Sequence, residues 1–509
     1  MLAKVHSFAI NGLDAYPVII EVDVSRGLPI TTIVGLPDNA VKESKERVRT
    51  AIKNNGYEYA FGRVTINLSP ADTKKEGPAF DMAIALGILA ATGQIPPLPL
   101  ERYAVIGELS LDGKIRPVSG ALPAAMAMKR GRLEGLILPA ANAREAALAH
   151  STSVYPAAAL TEVIHFLSCP ESIVPCTIYM TELLSVSPPS DVDFSDVKGQ
   201  RFVKRGLEIA AAGAHNVLLI GPPGSGKSML SKRLPTILPE MTPEEALETT
   251  QIYSVMGLTP HEGIITRRPF RSPHHTTSDV ALVGGGSSPR PGEATLAHNG
   301  ILFLDELPEF NRNALEALRQ PLEDKQVTIA RAARTVRFPA NFMFVAAMNP
   351  CPCGWFTDPR RACRCSSFQI QKYIARISGP LLDRIDIHLE VPALPSSELL
   401  SPDSAESSTA IKSRTLKARQ IQQGRFTGAA ITANALIPHR QLKEHCRLSQ
   451  ESQGFLKAAI EQLNLSARAY DKILKIARTI ADLAGEEQIK TEHLAEAVQY
   501  RSLDRDLWG

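Results

Sequence analysis

The spacing of apolar positions changes character several times along the chain, and each change marks an element. YPVIIEVDV (16–24) and RVTINL (63–68) are strand-like runs. Between them, KESKERVRTAIKN (42–54) is charged and helical. DMAIALGILAAT (81–92) is small and apolar throughout, as a buried helix is. A second half follows, with YAVIGELSLDGKIRPV (103–118) as a hairpin, ALPAAMAMKRG (121–131) as a helix and GLILPA (135–140) as a strand. Residues 1–167 therefore read as one α/β domain. The proline- and serine-bearing segment 168–190 is the linker candidate. Strand and helix alternate again over 191–393, and a second Pro/Ser-rich stretch, PALPSSELLSPDSAESS (392–408), follows that core. Residues 394–509 form a C-terminal helical lid, helical almost throughout from about Thr409 to Leu507, and no internal repeat is visible.

Composition changes little in this picture. A length of 509 residues suits roughly two to four domains. Hydrophobic residues at 44% and charged residues at 21% are ordinary for a globular protein. No run of about eighteen apolar residues appears, and the first residues lack the core of a signal peptide, so a cytoplasmic protein with no membrane partner is expected. A net charge of +3 does not announce nucleic acid, so any basic surface must be local. Four of seven cysteines crowd into residues 351–365, a pattern that favours metal over disulfides in a cytosolic chain.

The chemistry concentrates in the core. NVLLI (216–220) reads as a buried strand and runs into Gly221, Pro222, Pro223, Gly224, Ser225, Gly226, Lys227 and Ser228, followed by the helical MLSKRL. Strand, glycine-rich loop and helix are the context of a Walker A motif, whose backbone N–H groups and helix dipole cradle phosphates. Lys227 is expected on the β- and γ-phosphates of ATP and Ser228 on Mg²⁺. A second apolar strand, ILFL (301–304), delivers Asp305 and Glu306 at its end. These are a Walker B pair, Asp305 for Mg²⁺ and Glu306 to orient and deprotonate water. NFMFVAA (341–347) then leads to Asn349, and SGPLLDRIDIHLEV (378–391) carries Arg384 before an apolar strand.

This set resembles the AAA+ ATPases. The resemblance makes Asn349 a sensor-1 residue, and the alternative is an Asn capping the turn before Pro350. It makes Arg384 an arginine finger reaching a neighbouring subunit's site; the alternative is a local pair with Asp383 or Asp386. Arg468, in the helix start Ser466-Ala467-Arg468, falls at sensor 2, contacting the γ-phosphate from the lid, or else is an exposed arginine.

RPFRSPHHTTSDVALVGGGSSPRPGEATLAHNGILFLDELPEF (268–310), VAAMNPCPCGW (345–355) and ISGPLLDRIDIHLEV (377–391) look like the corresponding stretches of magnesium-chelatase-type AAA+ proteins. With the N-terminal domain, the whole chain resembles the bacterial ComM (YifB) family most closely. The fold this implies is an AAA+ P-loop NTPase core with a C-terminal helical lid, preceded by a Lon-protease-like α/β domain. It also implies a homo-hexameric ring and, in natural transformation, a DNA helicase promoting branch migration on single-stranded and branched DNA. Recombinase proteins are candidate partners. None of the DNA activity follows from the nucleotide motifs themselves.

QVTIARAARTVRFPAN (326–341) reads as a hairpin, with Arg331, Arg334 and Arg337 at a spacing of three. In this clade such a hairpin points into the pore, where arginines grip phosphates; the alternative is an edge hairpin at a subunit contact. The segment 263–298 fits the clade's helix-2 insertion and carries Arg271, His274 and His275, for which a structural or DNA-proximal role is favoured over metal. Lys412, Arg414, Lys417 and Arg419 read as a solvated helix face, with nucleic acid as the alternative.

SPADTKKEGPAFDMAIALGILAATGQI (69–95) and IGELSLDGKIRPVSGALPAAMA (106–127) carry the resemblance to the Lon-protease fold. Where that family has its nucleophilic Ser this chain has Ala79, and where the Lys falls it has Leu122, with no lysine until Lys129. No proteolysis is expected. Lys74 and Lys75 are modest candidates for DNA contact.

Cys351-x-Cys353 and Cys363-x-Cys365, separated by nine residues, can supply four thiolates to a structural Zn²⁺ that would fold the patternless GWFTDPRRA. Their one-residue gaps are tighter than usual, and reduced cysteines in a mobile loop are the alternative. Against the DNA motor stand a chelatase-like motor remodelling a protein partner and a non-enzymatic scaffold. The Lon-like domain favours the DNA motor over the chelatase, and the intact hydrolytic set disfavours the scaffold.

Overall fold

The computed structural model of the chain describes residues 1–128, 133–150, 152–180, 183, 191–286, 289–331, 334–356, 358, 360–394, 405–428, 431–463 and 465–501, with 331 and 334 as backbone only. Lys129 and most of the second half of the linker candidate therefore lie outside the described residues. The chain divides into two compact units, one of Met1–Ser187 with Thr242–Thr266, the other of Pro188–Met241 with Arg267–Gly509.

The first unit is built on a seven-stranded sheet. Its order is 31–34, 63–69, 14–25, 2–11, 103–105, 135–139, 153–157. Strand Leu2–Asn11 alternates over Leu2–Val5, buries Ser7, Phe8 and Ala9 in succession, and pairs antiparallel with Asp14–Ser25 from Leu2↔Asp23 to Asn11↔Asp14. The helix Asp81–Ala91 is buried at every residue, as its uninterrupted apolar pattern predicts. Its one charge, Asp81, is held by Arg47 through Nε and Nη2 at 2.8 and 3.1 Å. Ala79 lies in the turn before this helix, its carbonyl accepting from Gly107 N at 2.8 Å, and Leu122 is buried in helix Ala121–Ala127. Lys75 is fully buried, a correction to its reading as a DNA contact, because its backbone joins the 36–38 segment at the sheet edge. Lys74 is exposed but paired with Glu76 at 2.9 Å.

Residues 242–266, counted with the core from the alternation of elements, pack in the first unit instead. Their helix Pro243–Val255 starts in a reciprocal cap between Thr242 and Glu245. It docks on the unit through tertiary bonds that no periodicity announces. Gly120 N donates to Ser254 O at 2.8 Å, Gln251 Nε2 to Leu13 O at 2.8 Å and Thr259 Oγ1 to Glu145 Oε2 at 2.5 Å.

The second unit holds a five-stranded parallel sheet in the order 270–271, 301–304, 343–348, 217–220, 387–390. Strands Val217–Ile220, Ile301–Leu304 and Met343–Met348 are buried at every position, as parallel strands covered on both faces must be. The lid is helical, with Ser408–Arg425, Gln450–Leu463, Ala467–Ala484 and Thr491–Gln499. A buried knot ties it together, in which Asp482 accepts from Arg425 Nη1 at 3.0 Å, Arg478 Nε at 3.1 Å and Asn434 Nδ2 at 2.8 Å. Arg414 pairs with Glu208 and Glu406, and Arg419 donates to the carbonyls of Ala212 and Ala211 at 3.1 and 3.0 Å. Lys412 pairs with Glu240 at 3.0 Å, so of the four cations read as a solvated face only Lys417 is fully exposed.

Candidate functional site

In a parallel α/β sheet ligands gather beyond the carboxyl ends of the strands, where chain direction diverges. Three strands end there with their functional residues together. Strand Val217–Ile220 runs into the loop 221–226, where Gly224 and Gly226 take positive φ of 75° and 93°. A Cβ on Gly221 would stand 2.1 Å from Val391 O, so only glycine fits the start of the loop. Lys227 Nζ donates to the carbonyls of Gly221 and Pro222 at 2.7 and 2.9 Å and to Asn349 Oδ1 at 3.2 Å. Burial lowers the Lys227 ammonium to about 8, against the attraction of Asp305 and Glu306. Ser228 Oγ donates to Asp305 Oδ2 at 2.5 Å. Lys227, Ser228, Asp305 and Asn349 thus converge in one cluster, while Glu306 stands exposed beside Asp305 with φ 53°. Ser225 Oγ is buried with no partner, a polar atom left for a ligand.

Two further residues belong to this pocket. His275 Nδ1 stands 3.4 Å from Glu306 Oε2, so one histidine of the pair faces Glu306, while His274 turns to Thr276 at 3.0 Å. Arg271, near them, forks onto Glu293 at 2.7 and 2.8 Å. Gln200 Nε2 bridges the loop carbonyl of Ser225 at 2.6 Å and Pro392 O at 3.3 Å. The adjacent histidines were visible in sequence but their direction was not, and nothing in the local pattern marked Gln200.

Arg384 and Arg468 do not join the cluster. Strand Ile387–Glu390 pairs parallel with the Walker A strand, Val217↔Ile387 to Ile220↔Glu390. Arg384 precedes the first of those pairs, at the amino end of the sheet, and its carbonyl accepts from Asn216 Nδ2 at 2.8 Å. The loop at 221 leaves from the other end, about 13 Å away along four residues. Arg468 is at the Arg384 end too, its Nη1 donating to Asp383 Oδ2 at 3.2 Å. Arg384 itself donates to Pro380 O at 2.6 Å and pairs with Glu323, not with Asp383 or Asp386. Both arginines line a cavity of about 440 Å³ with Lys472, Lys475, Glu323 and Asp383.

The hairpin expected at 326–341 is present as Gln326–Arg331 and Arg334–Pro339, with Arg331 opposite Arg334 across the closing turn. Val327, Ile329, Val336 and Phe338 are buried, and Arg337, opposite Thr328, is exposed. The side chains of Arg331 and Arg334 lie outside the described residues. Cys351, Cys353, Cys363 and Cys365 come together with all four sulfurs within 4.8 Å of one another. Pairwise separations among the first three are 3.4, 3.7 and 3.6 Å. Among the described residues no helix is long and apolar enough to cross a membrane.

Comparison with known proteins agrees with this geometry. Residues 193–399 match the family model "Magnesium chelatase, subunit ChlI", 20–142 match "Subunit ChlI of Mg-chelatase" and 405–501 match "Magnesium chelatase, subunit ChlI C-terminal". The chain is 46% identical over 506 residues to Competence protein ComM of Haemophilus influenzae, covering 99% of this chain and 98% of that one. It is 44% identical over 507 residues to YifB of Escherichia coli strain K12, covering 99% and 98%. A Lon protease of Halothermothrix orenii is 30% identical over 135 residues, 25% of this chain and 17% of that protein.

Proposed function

The chain belongs to the ComM and YifB family of magnesium-chelatase-like AAA+ ATPases, and on that premise we propose that it is an ATP-driven DNA motor. It acts as a homo-hexameric helicase that promotes branch migration while single-stranded DNA is integrated, in competence and recombination, within the cytoplasm. The observation that carries the enzymatic part is the convergence of Lys227, Ser228, Asp305 and Asn349 at the carboxyl end of one parallel sheet.

The residues divide the work by chemistry. Bound ATP and Mg²⁺ would supply the phosphoanhydride and its charge neutralisation. Ser228 and Asp305, already 2.5 Å apart, are the oxygen donors for the cation. Lys227 neutralises phosphate oxygens, exchanging its bonds to the Gly221 and Pro222 carbonyls for them. Asn349 presents its amide beside the Lys227 ammonium. Glu306 takes the proton of the attacking water, and exposure keeps its carboxylate available for that.

Arg384 and Arg468 serve a neighbouring subunit. At the amino end of their own sheet they are too far from their own loop, so the site is complete only where two subunits meet. Glu323 and Asp383 hold the two guanidinium groups until phosphate replaces them. Arg337 on the hairpin, with Arg331 and Arg334, is the proposed grip on DNA. The magnesium-chelatase match alone would suit a motor that remodels a protein. Two observations favour DNA, namely near-complete coverage of a competence protein and the Lon-like first unit. The four cysteines are read as a structural zinc site.

The test is strand displacement on a three-stranded branched DNA with the full chain, ATP and Mg²⁺. Displacement by wild type that is lost in Glu306→Gln supports the motor. Binding without displacement under any nucleotide condition removes the helicase, and equal displacement by Glu306→Gln removes the coupling to hydrolysis.

A further inference from the structure

The cysteine cluster sits on the nucleotide pocket, two residues beyond Asn349. Tetrahedral zinc with bonds of about 2.3 Å sets its sulfurs about 3.8 Å apart. The separations of 3.4 to 3.7 Å among Cys351, Cys353 and Cys363 match that span, with Cys365 inside the same group. Four protein sulfurs leave no open position, which is the arrangement of a structural ion.

Two contacts connect the cluster to the phosphate loop. Gly354, immediately after Cys353, is buried with φ 83°, and a Cβ there would stand 2.6 Å from Pro223 Cδ and 2.7 Å from Pro223 Cγ. The backbone of the cysteine loop therefore lies directly against the second proline of Gly221–Ser228. The same Cβ on Gly354 would stand 3.9 Å from Asn349 Cγ, so the cysteine loop also packs beside the Asn349 side chain. Asn349 in turn accepts from Lys227 at 3.2 Å. The cysteine loop thus leaves the Asn349 strand and packs back, through Gly354, on both Pro223 and the Asn349 side chain.

We propose that Cys351, Cys353, Cys363 and Cys365 bind a zinc ion whose role is to brace the phosphate-binding loop. The ion fixes the 351–365 loop so that Gly354 buttresses Pro223 and Asn349 stays in reach of Lys227. Metal occupancy and nucleotide affinity are then linked. This rests on reading Gly221–Ser228 as the nucleotide loop and owes nothing to DNA.

The test uses the full chain and two readouts, zinc content by mass spectrometry and affinity for a fluorescent ATP analogue. Wild type should hold one zinc per chain. Stripping it with a thiol-specific mercurial and a chelator should weaken nucleotide binding roughly tenfold, the scale of one lost hydrogen bond to a charged group, with recovery on adding Zn²⁺ and excess thiol. Cys363→Ser should lose both zinc and affinity. Gly354→Ala should keep its zinc and still lose affinity, which separates bracing from general unfolding, with circular dichroism confirming the fold. A chain that neither carries nor takes up zinc overturns the site. Nucleotide affinity unchanged both on zinc removal and in Gly354→Ala overturns the brace. Lys227→Ala separates these failures from a wrong nucleotide loop, because it should keep zinc and lose nucleotide whether or not the brace exists.

Discussion

Lys227 is buried enough to titrate near 8, well below an exposed lysine. A polyphosphate beside it favours the charged form and raises that value, so the complex holds more protons than the free chain above about pH 8. Nucleotide affinity should be flat below that point and fall by up to about tenfold per pH unit above it, until the pKa of the complex is reached. Titration calorimetry in buffers of different ionisation enthalpy should register proton uptake, and a flat profile to about pH 10 would refute the assignment. Glu306→Gln should keep nucleotide affinity while turnover falls by about 10²- to 10⁴-fold, the range for loss of a general base. His275 Nδ1 stands 3.4 Å from Glu306 Oε2, close enough to restrain that carboxylate. His275→Ala should therefore raise basal turnover without changing affinity, which steady-state kinetics would register as a change in kcat alone. The glycine spacing and Lys227 were legible in sequence because an apolar strand leads into the loop and a helix follows it, and Asp305, Glu306 and Asn349 because each comes just after an apolar strand. The direction of His275 was not, because adjacent residues diverge and only the turn after Arg271 decides which one faces Glu306.

At the scale of elements, strands and helices with a strong period were readable and their partners were not. Asp81–Ala91 and Val217–Ile220 stand where their apolar runs place them. Helix Pro243–Val255 carries no strong apolar period, and its docking rests on side chains of the 242–266 segment such as Gln251 and Thr259 that reach distant carbonyl and carboxylate groups. The hairpin was legible from its two β-rich halves, but the three arginines are not equivalent in its register, since Arg337 is partnered by Thr328 while the backbones of Arg331 and Arg334 are partners at the turn. Arg337→Ala should weaken single-stranded DNA binding and lower the salt slope by about one charge, measured by anisotropy across salt concentrations. In the lid, Asp482 is the acidic partner of both Arg425 and Arg478 and also accepts from Asn434. Asp482→Ala would leave the buried Arg478 and the half-buried Arg425 without that carboxylate and should cost about 3–5 kcal/mol in urea unfolding of the full chain.

For the whole molecule, the sheet register separates the phosphate loop from Arg384 and Arg468 by the length of a strand. The resemblance assigned Arg384 to a neighbour's site and Arg468 to the γ-phosphate from the lid, but motif order carries no information about which end of the sheet a residue occupies. The proposed shared site rests on that register. Lys227→Ala subunits lack a working loop and Arg384→Ala subunits lack the finger, so each alone should be inactive. Mixed in one ring they should recover part of the ATPase activity, since a wild-type loop can then meet a wild-type finger. No recovery in mixed rings, with hexamers present by light scattering, would contradict the shared site.

The most direct test of the DNA motor is steady-state ATP hydrolysis by the full chain, with and without single-stranded DNA. A DNA motor should show a low basal rate, strong stimulation by DNA, and loss of both in Glu306→Gln. A rate that every form of DNA leaves unchanged would contradict it.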